Sequence, residues 1–172
     1  MKRENSLVDY IHELIDSIPS FVYLCALMVA FIGALIMYKH NSKDLFLKKY
    51  SVLLLMEYII ILYCSTILYR TSSEIRRYNF HPFWSYENIS NSWREILMNI
   101  IVFMPIGFLL GGAIGKYSLK KVILLGFLVS LFIEAMQFAL KRGFSEIDDV
   151  VHNTFGCLIG FSLWYGIIRF YK

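Results

Sequence analysis

The sequence has few of the groups on which metal-dependent or nucleophilic enzymes rely. Its 172 residues include only three cysteines, and none belongs to a CxxC pair or a Cys/His cluster, so neither a disulfide nor a metal site is indicated. It also lacks a nucleophile elbow and a phosphate-binding loop. We therefore expect no metal, no other cofactor and no nucleic-acid partner. The cysteines are expected to be buried free thiols that pack as small apolar groups.

What the sequence has in excess is apolar side chains. Hydrophobic residues make up 58% of the chain, with a mean hydropathy of +0.56, against about 45–50% apolar residues in soluble domains. Five apolar segments each approach the roughly 20 residues needed to cross a hydrocarbon core. They are Ser20–Tyr38, Tyr50–Tyr69, Ile96–Gly115, Val122–Leu140 and Val150–Phe170. The sequence thus predicts an all-α, polytopic helical bundle in the cell membrane, with about five transmembrane helices.

A short amphipathic helix is predicted before the first span. Apolar residues recur at helical spacing over residues 6–18, and Pro19 ends the pattern. The chain therefore divides into three parts. These are an amphipathic N-terminal helix (1–19), two N-terminal transmembrane helices (20–69), and a region with three further transmembrane helices and an aromatic loop (70–172).

Small residues at four-residue spacing predict close helix packing within one compact bundle. They are Gly107, Gly111 and Gly115 in the third span, and Gly156 and Gly160 in the last. Pro105 is expected to kink the third span and to free carbonyl groups about one turn earlier. The oligomeric state does not follow from this pattern.

Basic residues are almost evenly divided between the two sides of the predicted bundle. The loops 39–49 and 116–121 are rich in lysine, which favours placing them in the cytoplasm. The amino terminus, the loop 70–95 and the connection between the last two spans would then be extracytoplasmic.

Polar residues cluster at that same side, within reach of the membrane. Glu134 lies about 9 Å below the end of its predicted helix, so its carboxylate must face a cavity or a partner. Gln137 shares its face, and Asp149 and Asn153 share a face of the next helix. Asn99, early in the third span, can reach the same depth. For each amide taken alone, a role in helix packing is the better interpretation. For Glu134, a functional role is the better interpretation, because a carboxylate inside a membrane needs a cation, a proton or water.

The adjacent carboxylates of Asp148 and Asp149 are expected to need a counter-charge. The segment Arg76–Trp84 is rich in aromatic residues and contains a rigid proline. It is either an interfacial aromatic belt or a lid over the acidic hairpin, with Arg76 or Arg77 supplying the charge. Arg142 is a further candidate. We predict the lid.

Four motifs in this order resemble the VanZ-like membrane proteins, a family named for a teicoplanin-resistance protein. The motifs span about Arg70 to Phe170, and Glu146 departs from them where the family commonly has Asp. They are Arg76-x-x-Asn79-x-x-Pro82-Phe83, Asn99-x-x-x-Phe103-x-Pro105-x-Gly107, Glu134-x-x-Gln137-Phe138, and Glu146-Ile147-Asp148-Asp149-Val150-x-x-Asn153-Thr154-x-Gly156. The resemblance implies a small helical membrane domain, extracytoplasmic polar motifs, and tolerance of glycopeptide or lipoglycopeptide antibiotics. It implies no particular reaction.

The first functional hypothesis is a bacterial membrane protein whose polar site binds or modifies an envelope lipid or a lipid-linked wall precursor at the outer leaflet. Arginine would suit an anionic head group, because its planar fork pairs with phosphate. Binding ranks slightly above catalysis. The catalytic candidates are Glu134 and Asp149, and the substrate-binding candidates are Arg76, Asn79, Asn99, Gln137, Arg142, Asp148 and Asn153. The alternatives are a proton-coupled transporter or flippase that uses Glu57 and Glu134, and a membrane accessory subunit.

Overall fold

The computed structural model of the chain describes residues 18–40, 42–87, 89–114 and 119–170, with Val8, His12 and Asp16 before them. Most of the predicted amphipathic helix over 6–18 lies outside these residues and stays a prediction. The helices of the described part are α1 Ser20–His40, α2 Lys43–Tyr63, α3 Trp84–Glu87, α4 Ile89–Ile114, α5 Leu119–Leu140 and α6 Ile147–Phe170. Two short strands, β1 Tyr78–Asn79 and β2 Ser145–Glu146, complete the fold.

Five of these helices are long and apolar enough to cross a membrane, as predicted. All of them except α1 begin before the apolar segments of the sequence. α2 begins at Lys43 and α4 at Ile89, each several residues before the first apolar run. The reason is that an apolar window marks only the part suited to hydrocarbon. The helix itself continues for as long as its backbone groups pair internally.

The helices alternate in direction, so the bundle has two distinct ends. We call one the polar end: there α2 finishes, α4 begins, and residues 141–146 connect α5 to α6. It also carries the segment 69–87. The carboxyl ends of α1 and α4 and the amino ends of α2 and α5 lie at the opposite end.

α4 and α6 form the centre of the bundle because glycine lets their backbones touch. A Cβ added to Gly107 would fall on the carbonyl group of Cys157, and one added to Gly160 would fall on that of Met104. Gly156 meets the carbonyl of Ile100 in the same way. The predicted packing role of these glycines is confirmed, and it fixes the register of α6 against α4.

Apolar side chains from four spans close around this contact. The core comprises Leu62, Ile67, Phe103, Ile106, Leu110, Val122, Ile133, Cys157, Phe161 and Trp164. α1 lies at the edge: it packs on α2, where Gly33 meets Leu53, and its other faces are exposed. The prediction that all three thiols are buried holds for Cys64 and Cys157 but is wrong for Cys25, because it stands on this peripheral helix.

Pro105 lies inside α4, and carbonyl groups in the preceding turn have new partners. The Tyr58 hydroxyl donates to the Val102 carbonyl at 2.7 Å, and the Cys157 thiol lies 3.5 Å from the Phe103 carbonyl. A proline removes one helical N–H and crowds the turn before it, so side-chain donors from α2 and α6 are a natural complement.

The glycine contact can be tested with two substitutions in the same helix. Gly160→Ala should lower the Tm of the purified protein in detergent, because overpacking typically costs about 1–3 kcal/mol. Gly166→Ala is the matched control, since nothing lies within 4 Å of an added Cβ there. It should leave the Tm unchanged or raise it, because alanine favours a helix over glycine by about 0.5–1 kcal/mol. Equal Tm values for the two variants would contradict the close contact.

Candidate functional site

The segment 69–87 folds over the polar end and pairs with the connection between α5 and α6. β1 and β2 are parallel, with Tyr78 opposite Ser145 and Asn79 opposite Glu146. The Ser145 N–H donates to the Arg77 carbonyl at 3.1 Å. The predicted docking of this loop on the acidic hairpin is therefore confirmed. Backbone pairing gives the loop a defined register rather than a loose aromatic contact.

Asp148 holds the far part of this loop, and it does so through backbone groups. Its two carboxylate oxygens accept the N–H of Phe83 at 2.7 Å and the N–H of Ser85 at 2.9 Å. These N–H groups lie at the start of α3, where helix donors have no partner in the helix itself. Asp148 is buried, at 5% exposure. The prediction that this carboxylate pairs with a guanidinium was wrong, because two backbone N–H groups satisfy the carboxylate instead.

The arginines predicted to supply charge have other contacts. Arg76 stacks over the Phe138 ring at 5.5 Å and Arg77 over the Phe144 ring at 5.7 Å. Asn79 accepts the His81 N–H at 3.0 Å within the loop. The head-group roles of Arg76 and Asn79 stay predictions.

Arg142 and Gln137 complete the end of α2. The helix finishes in a π-helical turn, Cys64–Leu68, whose last carbonyl groups have no partner in the helix. Arg142 donates to the carbonyls of Ile67, at 2.7 Å, and of Leu68, and Gln137 donates to that of Thr66 at 3.4 Å. A cation beside a helix carboxyl end is favourable. The substrate-binding roles of these two residues stay predictions, and the contacts they make are structural.

Glu134 is buried, at 6% exposure, and lines a cavity of about 240 Å³. Its Oε2 accepts the N–H of Glu146 at 3.0 Å, and the Ser145 hydroxyl donates to its backbone carbonyl at 3.1 Å. The cavity is lined by Phe80, Leu131, Glu134, Ala135, Phe138, Ser145, Glu146, Ile147 and Val150. As expected from its depth, the carboxylate faces a cavity.

Glu146 is the second acid of this cavity, and it lies between α5 and α6 rather than inside a span. Burial raises its pKa to about 7, and the nearby charges of Glu95 and Asp148 act in the same direction. Asp149 also lies within electrostatic range of Glu134, Glu146 and Glu95. The charge of Arg70 acts on Glu95 and Glu134.

Arg70 and Glu95 are thus members of the site that the sequence did not single out. Arg70 is positioned by Gly143, which adopts φ of 87° and lets the guanidinium pack where a Cβ would stand. Arg70 and Glu95 lie at opposite ends of the long loop, so no spacing rule connects them to the acidic hairpin.

Asp149 and Asn153 were predicted to face Glu134 and Gln137. Each instead has a hydrogen-bond partner of its own. Asn99 donates to Asp149 at 2.6 Å, so the predicted approach of the third span is confirmed. Asn153 donates to the Ser130 hydroxyl at 2.9 Å, deeper between α5 and α6. The amides therefore join helices, as the packing interpretation expects. The catalytic role of Asp149 and the binding roles of Asn99 and Asn153 stay predictions.

His152 lies one turn after Asp149, and its ring contacts Tyr86 of α3. The Tyr86 hydroxyl and His152 Nε2 are 2.9 Å apart, and His152 Nδ1 is 4.0 Å from Asp149 Oδ1. Neither His152 nor Tyr86 is among the site residues predicted from the sequence. The spacing of His152 from Asp149 was a usable signal, whereas the contact with Tyr86 required the loop to be placed. Across the described ranges, no group of three or more Cys, His, Asp or Glu side chains has the geometry of a metal site.

Comparison with known proteins identifies the family. The family model of VanZ/LLP1 matches residues 21–169. The chain belongs to the VanZ/LLP1 family. This match begins well before Arg70, so the first two spans belong to the family region, contrary to the narrower extent that the motifs indicated. The predicted resemblance is otherwise confirmed.

One relative is Protein VanZ of Enterococcus faecium, which is 32% identical over 92 residues. The match covers 54% of this chain and 54% of that protein, so it spans about half the length of the relative. No solved structure matches the chain. The five candidate spans agree with a membrane protein of this family.

The raised pKa of Glu146 predicts a specific pH dependence of stability. Its folded pKa of about 7 lies above the ordinary value of 4.5, so the neutral form favours folding. That contribution is complete below pH 4.5 and is lost as the pH rises to about 7. The Tm in detergent should therefore fall over this range more steeply in wild type than in Glu146→Gln. Glu87→Gln, which changes an exposed acid of α3, should retain the wild-type slope. An unchanged slope in Glu146→Gln would contradict the assignment.

Proposed function

We propose that the polar end of this VanZ/LLP1 protein binds an amphiphile of the bacterial cell envelope at the outer leaflet. The ligand would be a membrane lipid or a lipid-linked wall precursor, and its retention would reduce the access of glycopeptide or lipoglycopeptide antibiotics. The observation that carries the proposal is the cavity of about 240 Å³, in which an apolar wall meets the carboxylates of Glu134 and Glu146.

The wall of the cavity suits an apolar chain. Leu131 and Ala135 of α5 contribute to it and are also exposed on the flank of the bundle. Because this flank belongs to a membrane-spanning helix, an acyl or isoprenoid chain could enter sideways from the bilayer. The volume is below the roughly 300–1,000 Å³ of sites that enclose a whole small molecule. It therefore fits part of a lipid, with the rest of the ligand outside.

The charged groups of the site favour a neutral or amine-bearing head group. The carboxyl groups of Glu134, Glu146 and their neighbours can accept hydrogen bonds from hydroxyl or ammonium groups, whereas a phosphate would meet like charge whenever these acids are ionised. Arg142 already pairs with carbonyl groups of α2, and Arg76 stacks on Phe138. These contacts favour sugar hydroxyls or amines over the anionic head group that the sequence suggested.

The transporter alternative has less support. Glu57 lines a separate cavity of about 390 Å³ between α1, α2 and α4, and its Oε1 is buried without a hydrogen-bond partner. Among the described residues, the two cavities share no lining side chain, so their linings do not connect Glu57 to Glu134. In the bilayer, Glu57 is better explained as a protonated, uncharged side chain than as a relay group.

Lipid mass spectrometry of the purified protein tests the binding site. Wild-type protein should retain a specific envelope amphiphile through purification, and Glu134→Gln should lose it. Gln can still accept the Glu146 N–H, so the fold should be kept while the charge is removed. Glu57→Gln is the control and should retain the lipid, because Glu57 lies in the other cavity. Identical lipid profiles for wild type and Glu134→Gln would refute the proposal.

The outer-leaflet placement has its own test. A cysteine replacing Ser72 at the polar end should react with a membrane-impermeant thiol reagent in intact cells, and one replacing Ser42 at the opposite end should not. Both positions are exposed. The unmodified chain is the blank, since its three cysteines lie within spans. Reaction at Ser42→Cys alone would invert the orientation and move the site to the cytoplasm.

A further inference from the structure

Tyr86, His152 and Asp149 are aligned at the polar end, beside the cavity of Glu134. The Tyr86 hydroxyl lies 2.9 Å from His152 Nε2, and His152 Nδ1 lies 4.0 Å from Asp149 Oδ1. Asp149 Oδ1 also accepts the Asn99 amide at 2.6 Å. We infer that this row is a proton-transfer site. It would take a proton from a hydroxyl or amine group of a neutral or amine-bearing amphiphile that reaches Tyr86.

The burial of the row suits such a transfer. His152 is 3% exposed, whereas the Tyr86 side chain is 46% exposed and can meet a ligand. His152 Nδ1 is buried and has no hydrogen-bond partner, although buried polar atoms are normally paired. An unpaired buried nitrogen is costly, so a purely packing role does not account for the orientation of Nδ1 toward Asp149. A small shortening of the gap to Asp149 would complete the bond, which is common for catalytic contacts without a ligand.

The fold supplies the alignment from two directions. Asp149 and His152 are three residues apart on α6, so they share a face of the helix. Tyr86 comes from α3, whose start is held by Asp148 through the N–H groups of Phe83 and Ser85. Asp148 therefore acts as a positioning residue that fixes Tyr86 over the imidazole.

The neighbouring groups also assign the tautomer. Asp149 Oδ1 accepts a hydrogen bond from Asn99 and also faces His152 Nδ1. An acceptor in this position favours the tautomer that carries its proton on Nδ1. Nε2 is then the acceptor for the Tyr86 hydroxyl. Asp148 also lies within electrostatic range of His152.

The proton balance follows from this arrangement. The Tyr86 proton passes to His152 Nε2 as the Tyr86 oxygen takes a proton from the ligand. The ligand group becomes the stronger nucleophile, Tyr86 is neutral again, and His152 is an imidazolium beside Asp149. The transfer reverses when the ligand group regains its proton, so no oxidant or other reactant is required. This row would add acid–base chemistry to the binding site proposed above.

Acetylation of tyrosine by N-acetylimidazole probes the row without knowledge of the ligand. The reagent's acetyl carbon forms a bond to the tyrosine oxygen and its bond to the imidazole nitrogen breaks. The tyrosine proton is taken by a base and returned to the leaving imidazole. If His152 is that base, Tyr86 should be acetylated about tenfold or more faster than Tyr78, since a positioned base contributes roughly 10²–10⁴-fold in enzymes. Tyr78 is the internal control. It has a similar exposure of 54%, and its ring contacts the rings of Phe80 and Phe138 rather than an imidazole.

Rates at both tyrosines would be measured by peptide mass spectrometry on the full-length protein in detergent. His152→Gln should reduce the Tyr86 rate to that of Tyr78, and Asp149→Asn should reduce it in part, with the Tyr78 rate unchanged. Equal rates at Tyr86 and Tyr78 in wild type, or a fast Tyr86 in His152→Gln, would overturn the inference. If His152→Gln alters the Tyr78 rate and so perturbs the fold, the wild-type ratio and Asp149→Asn decide. Because no envelope lipid is used, this test can fail while lipid binding succeeds, and the reverse.

Discussion

The requirement that backbone hydrogen-bonding groups find partners away from water governs the polar end of this protein. Inside the spans the helices meet it themselves. At the polar end α2 finishes in a π-helical turn and α3 begins in a loop, so carbonyl groups and N–H groups are left without helical partners. Arg142 and Gln137 satisfy the first set, and Asp148 satisfies the second. Long-range side chains therefore close both helix ends and hold the loop against the bundle.

This use of charged residues changes the interpretation of the site. Arg142 and Asp148 look like ligand-binding groups in a sequence, because charge near a membrane usually marks function. Once each is engaged with backbone groups, the titratable groups left for a ligand are chiefly the carboxyl groups of Glu134, Glu146 and Asp149, with Arg70 nearby. The balance of the site is thus acidic. That balance is the physical basis for proposing a head group with hydroxyl or amine functions rather than a phosphate.

The close packing of α4 on α6 also positions the polar side chains of the site. Gly156 and Gly160 bring the two backbones together, and this places Asn99 of α4 within 2.6 Å of Asp149 on α6. Asp149 is in turn held close to His152 on its own helix. A register shift of one residue would move these side chains off the shared face. The packing glycines and the polar site are therefore one structural unit.

The sequence by itself determined the spans, the glycine contacts and the family, because these depend on local composition and on residues a fixed distance apart. Hydrophobic length marks a helix that can cross a membrane, and glycines four apart mark one face of it. It also indicated that Glu134 must face a cavity and that Asn99 could reach Asp149. Only the tertiary structure decided which polar groups pair. Arg142 and Ile67 are 75 residues apart in the chain, Tyr86 and His152 are 66 apart, and Asp148 and Phe83 are 65 apart. Charge and hydrogen bonding do not depend on spacing along the chain, so several partners were equally plausible for each group until the loop was placed over the bundle.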